Sequence, residues 1–333
     1  MSPHPAGSML GLGVLDTDLE ARLVAGMASV EVALRDAVRS DYTFVTEASR
    51  HLVDAGGKRF RPLLVLLAAQ FGDPQAPGVV PSAVVVELTH LATLYHDDVM
   101  DEAALRRGAA SANARWDNTV AILTGDFLFA KASDILADLG PDAVRIQAQT
   151  FERLCTGQIR ETVGPDDGSD PVAHHLTVLA DKTGSLIATS GRFGAMMSGA
   201  DPRIVETMTV FGEQIGVAFQ LADDIVDIMS ESTVSGKTPG TDLREGVPTL
   251  AGLIALSSDP DPRLQDLLTR PLIDDGDHAE ALDRLRAHPA LGAARDEARR
   301  WADGARDVLV NLPEGAPRDA LSALCDYVVT RTG

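Results

Sequence analysis

The sequence predicts an all-α fold, a single large helical bundle, on three observations. Apolar residues recur at spacings of three and four along nearly the whole chain, the period of helices with a buried face. Ala, Leu and Arg are abundant and β-branched alternation is scarce, so propensity and pattern agree. Aromatic residues are only 4% of the 333, which disfavours a sheet-rich fold and a carbohydrate-stacking site. Hydrophobic residues reach 45%, enough for a large core rather than disorder.

Residues 1–14, with two Pro, three Gly and little periodicity, are expected to form a loose arm, and 15–333 a single domain. Helices are expected over 15–39, 42–54, 61–71 and 79–103, then over 115–138, 141–163, 171–199 and 202–230. Shorter ones follow at 248–257, 278–287, 290–311 and 316–330. Asp170–Pro171 and Asp201–Pro202 each place a capping carboxylate before a proline at the first helical position, and Gly140–Pro141 opens a helix in a similar way. The long helices between 79 and 230 are expected to supply the core, with the shorter ones packed outside. Breaks are short except at 232–247 and 258–277. Asp166–Asp167 and Asp274–Asp275–Gly276–Asp277, in Gly/Pro-rich stretches, are expected to be solvated turns.

Charge and cysteine usage exclude several functions. Lys+Arg total 29 against 49 Asp+Glu, a net charge of −20, which opposes nucleic-acid binding. Cys155 and Cys325 are too few for a disulfide framework or a cysteine zinc site and fit a reducing compartment. The apolar run at 63–69 is too short to span a bilayer, and no basic segment followed by an apolar stretch opens the chain. A cytoplasmic protein with no transmembrane segment is the expectation.

The chemistry concentrates in two acidic triplets. Asp97, Asp98 and Asp101 end the helix at 79–103; at about 100° per residue, Asp97 and Asp101 share a face that Thr93 and His90 continue. Asp223, Asp224 and Asp227 lie in the helix at 202–230, where Asp223 and Asp227 share a face with Phe219, Gln220 and Gly216. Carboxylates four apart repel, and Val99, Met100, Ile225 and Val226 surround them with apolar side chains, so something must compensate. One such triplet is ordinarily a solvated patch; two inside long apolar helices are not. Mg²⁺ fits, because it takes one or two carboxylates, keeps waters and completes its shell with substrate phosphates. Calcium loops need a Gly-containing loop, and a di-iron bundle needs Glu-x-x-His pairs, of which Glu87–His90 is the only plausible one.

A phosphate ligand also needs cations. Gly56–Gly57–Lys58–Arg59–Phe60–Arg61–Pro62 combines glycines that allow close backbone approach with the start of a helix, whose dipole adds positive potential. Arg106–Arg107–Gly108 follows the first triplet, and Lys182–Thr183 and Gly236–Lys237 add two ammonium groups. The chain has four Lys (58, 131, 182 and 237), and three fall in these segments; Lys131 is expected on the surface.

These segments, in order over about 50–250, resemble the trans-isoprenyl diphosphate synthase (polyprenyl synthetase) family of the medium/long-chain type. GGKRFRP at 56–62 is similar to its isopentenyl diphosphate loop. DDVMDEAALRRG at 97–108 and FQLADDIVD at 219–227 match its two Asp-rich motifs, and GKTPGTDLREGVPTL at 236–250 the segment after the second. The resemblance implies an isoprenoid synthase-like helical bundle around a central cavity, a homodimer, and Mg²⁺-dependent head-to-tail condensation of isopentenyl diphosphate with an allylic diphosphate. Position by position, it implies isopentenyl diphosphate at Lys58, Arg61, His90 and Arg107, and Mg²⁺ at Asp97, Asp98, Asp101, Asp223 and Asp227. It puts the allylic diphosphate at Arg106, Lys182, Thr183, Gln220 and Lys237, with Asp97, Asp101, Lys182, Asp223 and Lys237 serving the ionisation itself. Ala251 departs from the proline many relatives carry there.

Product length is expected to depend on the side chains one turn before Asp97, since a turn rises about 5.4 Å, close to an isoprene unit. Ala92 and Thr93 are small, which predicts a product longer than fifteen carbons, as for a quinone side chain. The competing readings are a geranylgeranyl diphosphate synthase, a terpene cyclase, which needs no second diphosphate site, and a non-catalytic subunit of a heteromeric synthase, which would have lost part of a motif.

Overall fold

The computed structural model describes residues 16–230, 239–258 and 261–330, so the arm expected over 1–14 lies outside the described residues. In chain order the elements are α1 (Thr17–Ala37), α2 (Thr43–Asp54), α3 (Phe60–Ala68), α4 (Val79–Met100), β1 (Leu105–Arg106), β2 (Ala109–Ala110), α5 (Ala112–Arg115) and α6 (Asn118–Leu139). There follow α7 (Pro141–Val163), α8 (Pro171–Leu179), a π turn (Ala180–Gly184), α9 (Ser185–Met197) and α10 (Pro202–Met229). The last are α11 (Thr241–Glu245), α12 (Leu250–Ser258), α13 (Pro262–Leu268), α14 (Asp275–Ala287), α15 (Pro289–Val308) and α16 (Ala316–Thr330). The all-α expectation is borne out.

Two compact units are drawn from this chain, one from Met1–Phe151, Leu186–Gly212 and Leu309–Leu321, the other from Glu152–Ser185, Glu213–Val308 and Ser322–Gly333. Since each is assembled from three separated stretches, no linker or composition change marks either in the sequence.

In the first unit α4 is central. Val79, Ala83, Val85, Leu88, Leu91, Ala92 and Tyr95 are all buried, so the helix is covered on several sides rather than along one stripe. It packs most extensively on α6, with α3 and α1 on other faces. Each fully buried large side chain contributes about 1.5–3 kcal/mol. The Tyr95 hydroxyl donates to the Ala48 carbonyl at 2.5 Å and accepts from the Leu52 N–H at 3.2 Å, tying the acidic end of α4 to α2. Burial pushes that phenol above its ordinary pKa. The helix stops three residues earlier than expected, where the Asp101 N–H closes on the Asp97 carbonyl and Glu102 turns left-handed at φ 48°.

The chain then makes a hairpin absent from the sequence reading: Leu105 pairs with Ala110 and Arg106 with Ala109. Its two turn residues, Arg107 (φ 53°) and Gly108 (φ 78°), are both left-handed, as a tight two-residue hairpin requires.

In the second unit, Val217, Leu221, Ile225 and Ile228 form the core-facing stripe of α10 and pack with Leu243, Leu267, Leu282, Leu285 and Leu291. The helix expected as continuous over 171–199 is interrupted by the π turn. The breaks expected at 232–247 and 258–277 contain α11 and α13. Asp261–Pro262 starts α13 by the same signal as Asp170–Pro171 and Asp201–Pro202: Asp261 accepts from the Arg263 and Leu264 N–H groups. Asp274–Asp277 is not a solvated turn, a correction with a local cause. Asp274 caps α14 through the Gly276 and Asp277 N–H groups, and Asp277 pairs with Arg263 and Arg270. Asp166 and Asp167 are exposed in a turn, as expected.

Candidate active site

The first unit gathers the cations of 56–62 and 106–107 beside the end of α4. Arg59 is only 4% exposed and takes a left-handed conformation (φ 49°) just before α3. Its Nη1 donates to Glu87 at 2.8 Å, its Nε to Glu31 at 2.6 Å and its Nη2 to the Val53 carbonyl at 2.7 Å. Burial pulls this guanidinium down, but Glu87 and Glu31 more than reverse it and its pKa is raised. Arg59 is therefore committed to holding the loop.

Arg61 and Arg107 are different. The Arg61 Nε is buried with no hydrogen-bond partner among the described residues, and Arg107 Nη1 donates to the Leu52 carbonyl, at 3.0 Å, and to the Gly56 carbonyl. Among the described residues neither is ion-paired to a carboxylate. Burial pushes Arg61 down to about 10, with Glu87 opposing and Arg107 adding. Burial also lowers Arg107, opposed by Glu87 and assisted by Arg59 and Arg106. His90 is held well below its ordinary pKa by burial and then by Arg61, Arg107, Arg59 and Arg106, so it is neutral at neutral pH. Arg61, Arg107 and His90 form a cationic cluster near the buried Glu87 carboxylate, 2% exposed, and it is suited to an anion. Gly57 lets it form: at φ +143°, a Cβ there would lie 2.8 Å from the Arg107 Cζ. The left-handed non-glycine residues Arg59, Glu102 and Arg107 all flank this region, and such strain concentrates at functional sites. Lys58 is exposed on the same loop.

The first acidic triplet splits in two. Asp101 is exposed and Asp97 half-buried, whereas Asp98, turned about 100° from Asp97, is fully buried. Asp98 and Arg106, expected at metal and at allylic diphosphate respectively, are paired with each other here: Nε donates to Oδ1 at 2.5 Å. The Arg106 Nη2 lies 3.7 Å from Asp101. The other Asp98 oxygen, Oδ2, is buried without a partner among the described residues. Ala92 is fully buried and Thr93 half-buried, its hydroxyl donating to the His90 carbonyl at 2.8 Å.

The second triplet repeats the pattern in its own unit. Asp223 and Asp227 are half-buried, while Asp224, next to the core stripe, is buried. Asp224 accepts from the Gln220 amide at 2.9 Å, and the Thr183 hydroxyl donates to Gln220 Oε1 at 3.1 Å. Burial raises the Asp224 pKa well above the carboxylate range; the Asp242 charge adds to this, Gln220 opposes it, and Asp223 and Asp227 add further. Lys182 projects from the π turn and is paired with Glu161. The turn is anchored by Asp181, which accepts from Arg153 at 2.9 Å and Arg160 at 2.5 Å, while Arg153 also grips Glu213. π turns of this kind recur at functional sites. Glu161, Asp181 and Asp242 escaped sequence reasoning because their partners are far away along the chain. Lys237 lies outside the described residues.

Carboxylates are hard oxygen donors, and the orphaned Asp98 oxygen marks a place where a cation or water would be accommodated. Among the described residues no group of three or more His, Cys, Asp or Glu side chains is placed to hold a metal ion by itself. Carboxylate donors few in number fit a hard divalent cation that completes its shell with water and phosphate oxygens. No helix among the described residues is long and apolar enough to cross a membrane.

Similarities to known proteins agree on the chain's family. The sequence model for polyprenyl synthetase matches residues 42–285. The chain is 50% identical to a nonaprenyl diphosphate synthase of Mycobacterium tuberculosis over 332 residues, covering 99% of both chains. It is similar to the crystal structure of a geranylgeranyl pyrophosphate synthase from Corynebacterium glutamicum complexed with calcium and isoprenyl diphosphate, with TM-score 0.85, 47% identity, and coverage of 96% of this chain and 98% of that one. A decaprenyl diphosphate synthase from Rhodobacter capsulatus gives TM-score 0.87 at 33% identity, covering 95% of this chain and 99% of that one. Motifs, fold and relatives coincide over nearly the whole length, and the chain belongs to the polyprenyl synthetase family.

Proposed function

We propose that the chain is a trans-polyprenyl diphosphate synthase, condensing isopentenyl diphosphate head to tail with an allylic diphosphate into a product longer than fifteen carbons. The observation that carries this reading is the Arg61–Arg107–His90 group, two guanidiniums without carboxylate partners and a neutral imidazole, beside the acidic end of α4. Arg61, Arg107, His90 and Lys58 hold isopentenyl diphosphate. Lys182, Thr183, Gln220, Lys237 and Arg106 hold the allylic diphosphate, Arg106 by exchanging its Asp98 partner for phosphate. Asp97 and Asp101 in the first unit, and Asp223 and Asp227 in the second, bind divalent cations, Mg²⁺ in this reading, with Asp98 a further ligand through Oδ2.

The cation, when bound, stabilises charge developing on the departing diphosphate. Lys182 and Arg106 add to that stabilisation as the allylic C–O bond breaks. The isopentenyl double bond attacks the allylic carbon, a proton is lost to the released diphosphate, and an allylic diphosphate one unit longer remains. Neutral His90 offers hydrogen bonding without adding a further charge to the arginines.

The nonaprenyl relative and the small Ala92–Thr93 pair support a long product, as for a quinone side chain. The second reading, a product of twenty carbons, is favoured by the Corynebacterium similarity. We read the protein as a cytoplasmic homodimer, its contact formed by the exposed Ile122 and Leu123 of α6 and Val144 and Phe151 of α7. Product chromatography with isopentenyl and farnesyl diphosphates tests the function. Termination at fifteen carbons, or wild-type turnover after Asp97→Ala with Asp101→Ala, refutes it; termination at twenty selects the second reading.

A further inference from the structure

Beyond the second triplet the chain turns at Gly240 and enters α11, and this turn is built directly on Asp227. The Gly240 N–H donates to the Asp227 main-chain carbonyl at 3.1 Å, and the Asp242 N–H lies 3.4 Å from Asp227 Oδ2. The other side of the turn rests on α14. His278, 5% exposed in the first turns of that helix, has its Nε2 2.9 Å from the Gly240 carbonyl. Its Nδ1 lies 3.4 Å from Arg244 Nη2, which also pairs with Asp275 at 2.7 Å. A carbonyl only accepts and a guanidinium only donates, so the two partners together select the tautomer with hydrogen on Nε2.

The fit leaves no slack. Gly240 is left-handed at φ +68°, and a Cβ there would lie 2.7 Å from a Leu282 methyl and 3.0 Å from His278 Nε2. Leu243, one turn into α11, is buried in the same core as Leu282. Backbone and side chain thus seat the turn on α14, with His278 supplying the polar link from α14 to the Gly240 carbonyl.

We propose that His278 is a positioning residue for the second acidic triplet: its hydrogen bond to Gly240 holds the turn that orients the Asp227 carboxylate. The inference rests on the reading that Asp227 binds the cation and diphosphate. His278 touches neither; it acts through Gly240, as outer-shell groups orient metal ligands elsewhere. Nothing in the sequence beyond 255 signals this role.

The test compares His278→Phe, which keeps a ring but loses the donor, with His278→Gln, which restores an N–H. Hydrogen exchange of the 239–246 backbone is followed without metal, alongside the constants for Mg²⁺, allylic diphosphate and isopentenyl diphosphate. For the Phe variant, exchange at Gly240 and Asp242 should quicken, and the Mg²⁺ and allylic constants should rise roughly ten-fold, the lower end of outer-shell effects, with the isopentenyl constant within about two-fold. The Gln variant should recover most of both. Unchanged exchange in the Phe variant overturns the proposal, as does faster exchange with unshifted Mg²⁺ and allylic constants. If the Phe variant fails to fold, a folded Gln variant with loosened exchange and weakened Mg²⁺ overturns it, whereas wild-type behaviour supports it. A wild-type protein that condenses nothing would count against the enzymatic reading alone, because exchange and calorimetric binding of Mg²⁺ with inorganic pyrophosphate still report on the turn.

Discussion

Replacing Arg59 by Met would show what holds the loop of the cationic cluster. Arg59 and Glu87 are 4% and 2% exposed, and their charged atoms are 2.8 Å apart. At an effective dielectric of about 20, that separation is worth roughly 6 kcal/mol of attraction, most of it offset by the hydration both groups lose. The pair as a whole is therefore worth little, but one partner without the other is costly. Arg59→Met should destabilise by about 3–5 kcal/mol, because Glu87 is left buried and charged. Arg59→Met with Glu87→Leu should recover all but about 1–2 kcal/mol, the remainder reflecting the support that Glu87 gives Arg61 and Arg107. Equilibrium urea unfolding of the four proteins in the cycle measures both quantities. A double variant no more stable than Arg59→Met, or a single variant within about 1 kcal/mol of wild type, would refute the reasoning.

Three further outcomes are expected. Gly57→Ala must displace the Arg107 guanidinium, whose Cζ would be 2.8 Å from the new methyl, so the isopentenyl diphosphate KM should rise roughly ten-fold or more with little change for the allylic substrate; equal rises in both would contradict the assignment of Arg107. His175 is pushed down to about 4 by burial and then by His174, so between pH 6.5 and that value the unfolded chain takes up a proton that the native protein refuses. Stability should accordingly fall as pH drops through this window, by on the order of 3 kcal/mol, and His175→Phe should flatten that limb of an unfolding-versus-pH curve. Thr93→Phe, half-buried on the Asp97 stripe, should shorten the product at little cost to the fold, whereas Ala92→Phe should chiefly destabilise, by at least about 1–3 kcal/mol. Chromatography and melting curves showing the reverse assignment would reject it.

Features set by near neighbours along the chain were legible in the sequence. Asp97 with Asp101, and Asp223 with Asp227, share helical faces because the helix repeat puts fourth neighbours together. Asp170 caps α8 through a donor two residues ahead, which a reader of residue types can foresee. The hairpin at 105–110 carries a weaker signal, a single Gly after Arg107, with no alternating strand pattern to either side.

Other features depend on which helix lies beside which. The burial of Asp98 and Asp224 follows from the core-facing sides of α4 and α10, and their partners Arg106 and Gln220 engage only once those sides are covered. Arg59 meets Glu87 from 28 positions away and His278 meets Gly240 from 38. The sequence alone therefore determined the helices, the acidic faces and the family to which the chain belongs, because these are written in periodicity and short motifs. Only the tertiary structure decided which carboxylates are spent on internal pairs and which cations remain for an anion, because a charge's partner is chosen by packing, and packing joins residues that no local pattern connects.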